Sequence, residues 1–341
     1  MPYSFKKLVC PVLLSRKKII LFFLNSLQLF PEALSPSTIH RFQLSSVGGK
    51  STVLPLDLGG FGISRYAFDH FLFEKAKNCG VQFLLNTEVS DIFFENEQFT
   101  IHASGSTLSA DLVIGSFGKR SKADVSLQRS FLKKRSPYVG VKYHVRSDFP
   151  NDLVALHNFK GGYCGVNAVE KDVVNVCYLT HRDVLRQHGS IPELEKRVLC
   201  KNPLLKEVFE HSDFLFDKPE VINEISFETK EPVFNHVLMT GDAAGMITPL
   251  CGNGMAIAIH SSKIVSFLLI RFCSDASYTR AQLEHDYARE WRKNFASRLW
   301  FGRQVQRLFG SSLASQVAVR LALYSKPIAQ TIVKSTHGKP F

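Results

Sequence analysis

Residues 236–255 read HVLMTGDAAGMITPLCGNGM, and this stretch decides the fold. The run His236–Thr240 is short, apolar and followed by glycine, which predicts a buried strand. From Gly254 the sequence stays apolar to about Phe272, which predicts a long helix. The stretch therefore predicts a strand, a loop of small residues and a helix, in that order.

The loop between strand and helix has the chemistry of a ligand site. Gly241 lets the chain turn sharply, and Asp242 projects a carboxylate to which ligand hydroxyl groups can donate. The next residues are small enough for close approach: Ala243, Ala244 and Gly245. Gly252 and Gly254 expose N–H groups at the positive end of a helix, which favours an electron-rich group. Reduced flavin, with a polyol chain and a ring that becomes negative, fits both ends.

The run GDAAGMITPLCGNGMAIA at 241–258 resembles the second flavin motif of the p-hydroxybenzoate hydroxylase and geranylgeranyl reductase superfamily of FAD-dependent oxidoreductases. The resemblance implies that the aspartate binds the ribityl chain and that the following loop wraps the isoalloxazine ring. The implied FAD-binding residues are Gly241, Asp242, Ala243, Gly245, Pro249, Gly252, Asn253, Gly254 and Met255. The alternative is a glycine-rich loop that merely connects a strand to a helix.

Two further segments resemble motifs of the same superfamily, in the expected order. Gly62–Asp69 is similar to a segment that places an arginine near the cofactor, which implies this role for Arg65; a solvated residue at a helix start is the alternative. Asp111–Ser121 is similar to the middle motif and implies a cofactor turn at Gly118, but Phe117 stands where that motif has aspartate. Val89 lies where the superfamily contacts adenine through the backbone.

The glycine-rich Gly-x-Gly-x-x-Gly unit of the superfamily, which binds the FAD pyrophosphate at a helix start, is missing before residue 36. We therefore expect an FAD-binding Rossmann-like domain whose first βαβ unit is absent, and a truncated chain. Hairpin spacing of apolar runs from Tyr138 to Leu179 predicts an antiparallel sheet, similar to the substrate domain of the reductases.

The expected fold class is mixed α/β, with one domain interrupted by another. The predicted segments are an atypical basic and apolar start (1–35), the incomplete FAD-binding domain (36–130 and 221–275), the antiparallel substrate domain (131–220) and a helical basic end (276–341). Strands are also predicted at Val81–Val89, at Asp91–Ala103 and at Val221–Phe227, and a doubly buried strand at Asp111–Gly115. Ser64 is predicted to cap a helix that begins near Arg65.

Charge and cysteine usage narrow the environment. The net charge is +12, but residues 1–31 carry five basic and no acidic residues and residues 291–341 carry nine and none, so the basic character lies at the two ends. Such ends suit an anionic membrane surface better than a nucleic acid, since no base-reading motif accompanies them; a basic helix that packs on the flavin domain is the alternative. The seven cysteines include no CxxC, which predicts reduced thiols in the cytoplasm, and no metal-ligand spacing occurs, so no metal is expected.

The sequence thus predicts a flavin-dependent oxidoreductase with FAD as cofactor and NAD(P)H as reductant. Its 28 phenylalanines suggest an apolar substrate, isoprenoid or phenolic, and leave alkene reduction and ring hydroxylation both open. The main alternative is an inactive remnant that binds a lipid or a partner without holding FAD. No catalytic acid or base is predicted, and neither Cys251 nor His260 is expected to act chemically.

Overall fold

The computed structural model describes residues 12–13, 23–249, 252–308, 316–317 and 320. Within them, the chain forms two parts, a large sheet covered by short helices and a smaller part that mixes strands with longer helices. We call these the sheet half and the α/β half. The mixed α/β class predicted from the sequence is confirmed.

The sheet half is built on a sheet of nine strands. Hydrogen-bonded neighbours run in the order β1-β3-β2-β9-β10-β11-β8-β12, and β13 also pairs with β8. The strands are β1 (Val12–Leu13), β2 (Ser37–Ser45), β3 (Ser51–Gly62), β8 (Tyr138–Arg146), β9 (Leu153–Phe159), β10 (Gly162–Ala168), β11 (Val174–His181), β12 (Asp213–Phe214) and β13 (Glu220–Ile222). The antiparallel sheet predicted over 138–179 is therefore present, and it extends further by parallel pairing of β2 with β9.

One face of this sheet packs against three short helices, because alternate residues of β8 to β11 are apolar on that side. Val141, Val166 and Val176 are fully buried there, together with Leu194 and Leu205 of the helices. The helices are α3 (Arg182–His188), α4 (Ile191–Arg197) and α5 (Pro203–His211). The opposite face carries a second apolar cluster and looks toward the α/β half.

The α/β half holds two small sheets. One is the meander β4 (Val89–Glu95), β5 (Gln98–Ala103) and β6 (Ser106–Ala110). The other has the order β14-β15-β7 and contains β7 (Ile114–Gly115), β14 (Val233–Phe234) and β15 (Val237–Met239), with β7 and β15 parallel. Its helices are α1 (Arg65–Asn78), α2 (Lys122–Ser126), α6 (Gly254–Ser274), α7 (Arg280–Trp291) and α8 (Ser297–Leu308), with a π-turn at Arg292–Ala296.

Several local predictions are confirmed. The hydroxyl of Ser64 accepts from the Ala67 N–H at 3.1 Å, so the serine caps α1 as predicted. The near-helical spacing of Trp291, Phe295, Leu299 and Phe309 predicts an amphipathic helix; the first three are buried in the core of the α/β half, and Phe309 lies outside the described residues. The long apolar helix predicted from Gly254 is α6; by length and composition alone it could cross a membrane, and 28% of its most apolar 18 residues are buried inside the protein.

Three strand predictions are wrong or too long. Residues 81–88 form no strand, and Leu84 is 63% exposed, because no described segment offers its backbone a pairing partner. The predicted strand Asp111–Gly115 is reduced to β7, in which Ile114 is 42% exposed instead of doubly buried. β15 is the neighbour of β7 on one side, and no described strand pairs with its other edge. The strand predicted at Val221–Phe227 ends at Ile222.

Candidate cofactor site

The ends of β7 and β15 bring two of the predicted motifs together. The Thr240 N–H donates to the Gly115 carbonyl at 3.0 Å, and the hydroxyls of Ser116 and Thr240 lie 2.7 Å apart. Because the strands are parallel, the chain leaves both at the same edge of the sheet. The turn with Gly118 therefore lies beside the turn that begins at Gly241.

The second turn presents Asp242. Residues Gly241–Ala243 form one turn of 3-10 helix, with Gly241 at a φ of +54° that disfavours a side chain. The Gly241 N–H donates to Ser261 Oγ at 3.0 Å, which fixes the turn to α6. Burial raises the pKa of the Asp242 carboxyl, whereas the positive charges of Lys230, Arg65 and Lys119 act in the opposite direction. A half-buried carboxylate near three cations is a strong acceptor for ligand hydroxyls.

The start of α6 has the features of a binding site for an electron-rich group. Asn253 precedes the helix, and its side chain makes no cap hydrogen bond to the first turn. The first backbone N–H groups of a helix have no partner within it, so they are donors directed toward this end. A Cβ built on Gly254 or on Gly118 would meet nothing within 4 Å, so the backbone at both glycines borders open space. These donors, the open backbone and the Asp242 carboxylate suit a ligand that carries both hydroxyl groups and an electron-rich ring, and a flavin has both.

Arg65 also lies at this site. Its guanidinium makes a two-pronged ion pair with Asp69, with both N–O distances at 2.9 Å, and it is close enough to Asp242 to lower the pKa of that carboxyl. Together with Met255 it lines an apolar cleft of about 490 Å³ between α1 and α6. The structure thus places Arg65 beside the predicted cofactor residues.

Most of the other predicted residues lie in or next to the Gly241 turn, but Val89 lies elsewhere. Ala243 is buried, and Gly245 is packed so closely that a Cβ would lie 2.9 Å from Leu299, so both shape the turn from behind. Gly252 has a φ of +61° and donates to the Pro249 carbonyl at 2.9 Å. Val89 instead opens β4, opposite Ala103, in the separate meander, and no contact in the described structure joins it to Asp242. Cys251 lies outside the described residues.

A small apolar cavity separates the loop from the large sheet. It measures about 40 Å³ and lies between Pro249 and Met246 on one side and the strands β8 to β11 on the other. Its lining is mostly apolar, with Lys119, Cys177, Tyr163 and Tyr178 as the exceptions. The Tyr163 hydroxyl donates to Gln306 Oε1 at 3.1 Å. A substrate bound there would face the loop at Pro249.

Sequence reasoning missed three basic residues behind the loop: Lys119, Arg129 and Lys230. Arg129 and Lys230 sit in connecting segments without periodicity or motif, and nothing in their spacing links them to Asp242; Lys119 lies inside the Asp111–Ser121 motif. The one available signal is that Lys119 follows Gly118 directly.

No protein-family model matches the chain. Among curated proteins, an uncharacterised protein of Methanosarcina barkeri is 23% identical over 262 residues, covering 72% of this chain and 60% of that protein. The digeranylgeranylglycerophospholipid reductase of Methanosarcina acetivorans is 23% identical over 248 residues, covering 69% of this chain and 59% of that enzyme. The chain thus spans about 60% of the length of these curated relatives.

Solved structures give the fold. The myxobacterial halogenase CndH, described as a variant of FAD-dependent halogenases, superposes with a TM-score of 0.71 at 15% identity, over 98% of this chain and 83% of the halogenase. A geranylgeranyl bacteriochlorophyll reductase-like protein of Thermoplasma acidophilum superposes with a TM-score of 0.72 at 16% identity, over 92% of this chain and 83% of that protein. The chain has the fold of FAD-dependent oxidoreductases. The resemblance found in its sequence motifs is thereby confirmed at the level of fold.

Proposed function

We propose that this chain is a flavin-dependent oxidoreductase that holds FAD between α1, the Gly241–Gly245 turn and the start of α6. The observation that carries the proposal is the convergence of the Asp242 turn, the open backbone at Gly118 and the start of α6 with Gly254. These residues come from two segments of the sequence, the Gly118 turn and the 241–258 motif.

The residues divide the work of binding. The Asp242 carboxylate would accept from the ribityl hydroxyls, and the N–H groups at the start of α6 would hold the electron-rich ring. Arg65 supplies positive charge beside the turn, and Pro249 lines the small cavity next to it. Bound flavin would supply the redox chemistry, with NAD(P)H as the proposed reductant.

The cavity favours an apolar substrate. Leu156, Leu179 and Ile225 line it, and an isoprenoid or phenolic group would be desolvated there. At about 40 Å³ it admits little more than one water molecule, so a substrate must displace side chains, of which Met246 is the most adaptable. Hydroxylation and alkene reduction are distinguished by O2 uptake, because only hydroxylation consumes one O2 for each NAD(P)H.

Titration of the purified chain with FAD, FMN and riboflavin tests the proposal. We expect a yellow complex and a loss of affinity of about 10- to 100-fold in Asp242→Ala, since hydrogen bonds to a charged group are lost. Asp148→Ala is the matched control, because Asp148 is exposed on the sheet half. A chain that binds none of the three flavins, or an Asp242→Ala variant that binds as wild type, would contradict the proposal.

The exposed apolar surface of the α/β half favours a second candidate, a protein that binds a lipid or a partner without FAD. Ile114, Leu84 and Phe267 are 42%, 63% and 63% exposed, on one half of the molecule. A colourless chain that binds to lipid vesicles or detergent micelles would support this function. Membrane contact through the basic C-terminal region and a cytoplasmic location stay predictions, since most of 309–341 lies outside the described residues.

A further inference from the structure

We infer that Lys230 and Arg129 are positioning residues that clamp the Asp242 turn from behind by binding its last two carbonyls. The inference rests on the proposed function, because the clamp matters for a ligand only if this turn holds the ribityl chain.

The turn itself leaves these two carbonyls without partners. The Ala243 N–H donates to the Thr240 carbonyl, and the N–H groups of Ala244 and Gly245 both donate to the Gly241 carbonyl. The single 3-10 turn ends there, so no N–H group within it donates to the carbonyls of Asp242 and Ala243. Buried carbonyls in this position need donors from elsewhere in the protein.

Two buried cations supply the donors. Lys230 Nζ donates to the Asp242 carbonyl at 2.7 Å and to the Lys119 carbonyl at 2.8 Å. Arg129 Nη1 donates to the Ala243 carbonyl at 2.7 Å, and its Nη2 donates to the Glu231 carbonyl at 2.9 Å. The two side chains thus tie the Asp242 turn to the Gly118 turn and to the segment that leads into β14.

The burial of the Lys230 ammonium costs free energy, which a contact with no role beyond packing would not require. Its residue is 5% exposed, its ammonium lies 4.2 Å from the centre of the Phe131 ring, and no carboxylate of the described chain comes within 4.0 Å of it. Arg129, by contrast, is neutralised by Asp124 at 3.0 Å, with both side chains fully buried. A buried ammonium held mainly by carbonyls costs free energy that an apolar side chain would not. In return, the directional hydrogen bonds from Lys230 hold the backbone that carries Asp242 in one orientation.

Lys230 also acts on the Asp242 carboxyl through its charge. It is the largest of the influences that lower the pKa of Asp242 and so favour the ionised form. Burial in turn lowers the pKa of Lys230 to about 8, helped by the charges of Arg129 and Lys119 and opposed by those of Asp124 and Asp242. Above that pH the lysine loses its charge, its hydrogen bonds to the carbonyls weaken, and Asp242 loses a nearby cation.

Flavin affinity measured from pH 6.5 to 9.5 tests the clamp. We expect wild-type affinity to fall as the pH rises through about 8, Lys230→Met to bind about 10-fold more weakly at pH 7 with no such fall, and Lys230→Arg to bind well across the whole range, because arginine keeps its charge. Lys134→Met is the matched control, since Lys134 is 70% exposed and pairs with Glu228. Wild-type affinity and pH profile in Lys230→Met would overturn the inference.

Hydrogen exchange of the free protein gives a readout that needs no flavin. In Lys230→Met we expect faster exchange of the amides at 241–249, with no change in β8 to β11. Unchanged exchange there would overturn the clamp even if flavin binds, whereas a wild type that binds no flavin would remove the proposed function and leave the exchange result to judge the clamp. If Lys230→Met does not fold, Lys230→Arg decides: the inference fails if this variant keeps the wild-type fall in affinity.

Discussion

The strands of the sheet half are buried more completely than the strands and helices of the α/β half. Every residue of β9 is buried, and the polar groups behind it are joined in a network in which the Asn202 amide donates to Ser45 Oγ and to the Asn158 carbonyl, each at 3.0 Å. In the α/β half, β7 pairs with β15 alone among the described strands, and Ile270 of α6 is 65% exposed. The sheet half is therefore stabilised by a continuous apolar and hydrogen-bonded interior, whereas the α/β half combines its apolar core with the fully buried Asp124–Arg129 ion pair.

The largest expected effect breaks the α/β half at Arg129. Arg129→Met leaves the fully buried Asp124 carboxylate without its partner, which should lower the free energy of unfolding by about 3–5 kcal/mol. Urea denaturation measures this loss, with Arg146→Met, an exposed arginine of β8, as the control.

A second substitution sharpens this result. Adding Asp124→Asn to Arg129→Met removes the stranded charge, keeps a cap for α2, and should restore part of the stability. A single variant that loses less than about 1 kcal/mol would show that the buried pair does not hold this half together.

The next effect is a loss of stability at low pH that originates in the sheet half. His157 is buried with its Nδ1 2.9 Å from Ser45 Oγ, and burial lowers its pKa to about 4 from 6.5. Because the folded state keeps this histidine neutral while the unfolded chain takes up a proton below pH 6.5, stability is lost as the pH falls from about 6.5 to 4. The linkage amounts to about 3 kcal/mol.

Thermal unfolding between pH 4 and 7 measures that loss. His157→Gln should flatten the profile, because glutamine does not titrate, whereas His211→Gln, at an exposed histidine, should leave it unchanged. Equal acid sensitivity in wild type and His157→Gln would place the effect elsewhere, for instance at His144 or at His260, whose pKa values burial also lowers to about 4.

The smallest effect on stability concerns the exposed apolar run 81–85. Leu84→Lys should change the free energy of unfolding by less than about 0.5 kcal/mol, because the side chain is 63% exposed, yet it should reduce self-association of the α/β surface. Sedimentation velocity measures the association, with Val53→Lys on the sheet half as the matched exposed position. An equal reduction by both variants would mean that the two surfaces do not differ.

The same contrast explains what the sequence could predict. The cap at Ser64, the alternation in β8 to β11 and the glycine turn at Gly241 are local patterns, and the structure contains all three. The strand predicted at Val81–Val89 failed because strand formation depends on a partner, which local pattern does not reveal. Membership of β2 and β3 in the large sheet is likewise set by distant pairing with β9. The boundaries of the proposed domains stay predictions.

The candidate site divides in the same way. Asp242, Gly254 and Arg65 belong to motifs whose residues follow one another closely, so sequence reasoning could group them. Lys230 and Arg129 reach the turn from segments that carry no motif, across 12 and 114 residues of chain. A contact that depends on tertiary packing alone leaves no trace in the spacing of a single sequence.

The parallel pairing of β2 with β9 has a consequence for how the protein is made. Ser45 pairs with His157, so a strand that emerges early from the ribosome must wait for more than 100 residues before its neighbour exists. At synthesis rates of about 5–20 residues per second that delay is roughly 5–20 s. During this time β2 and β3 can pair with each other and with β1, while α1 and the meander β4 to β6 are completed; β7 must wait longer still for its neighbour β15. All strands of the large sheet have been made by Ile222, before the long helices α6 to α8 of the α/β half exist.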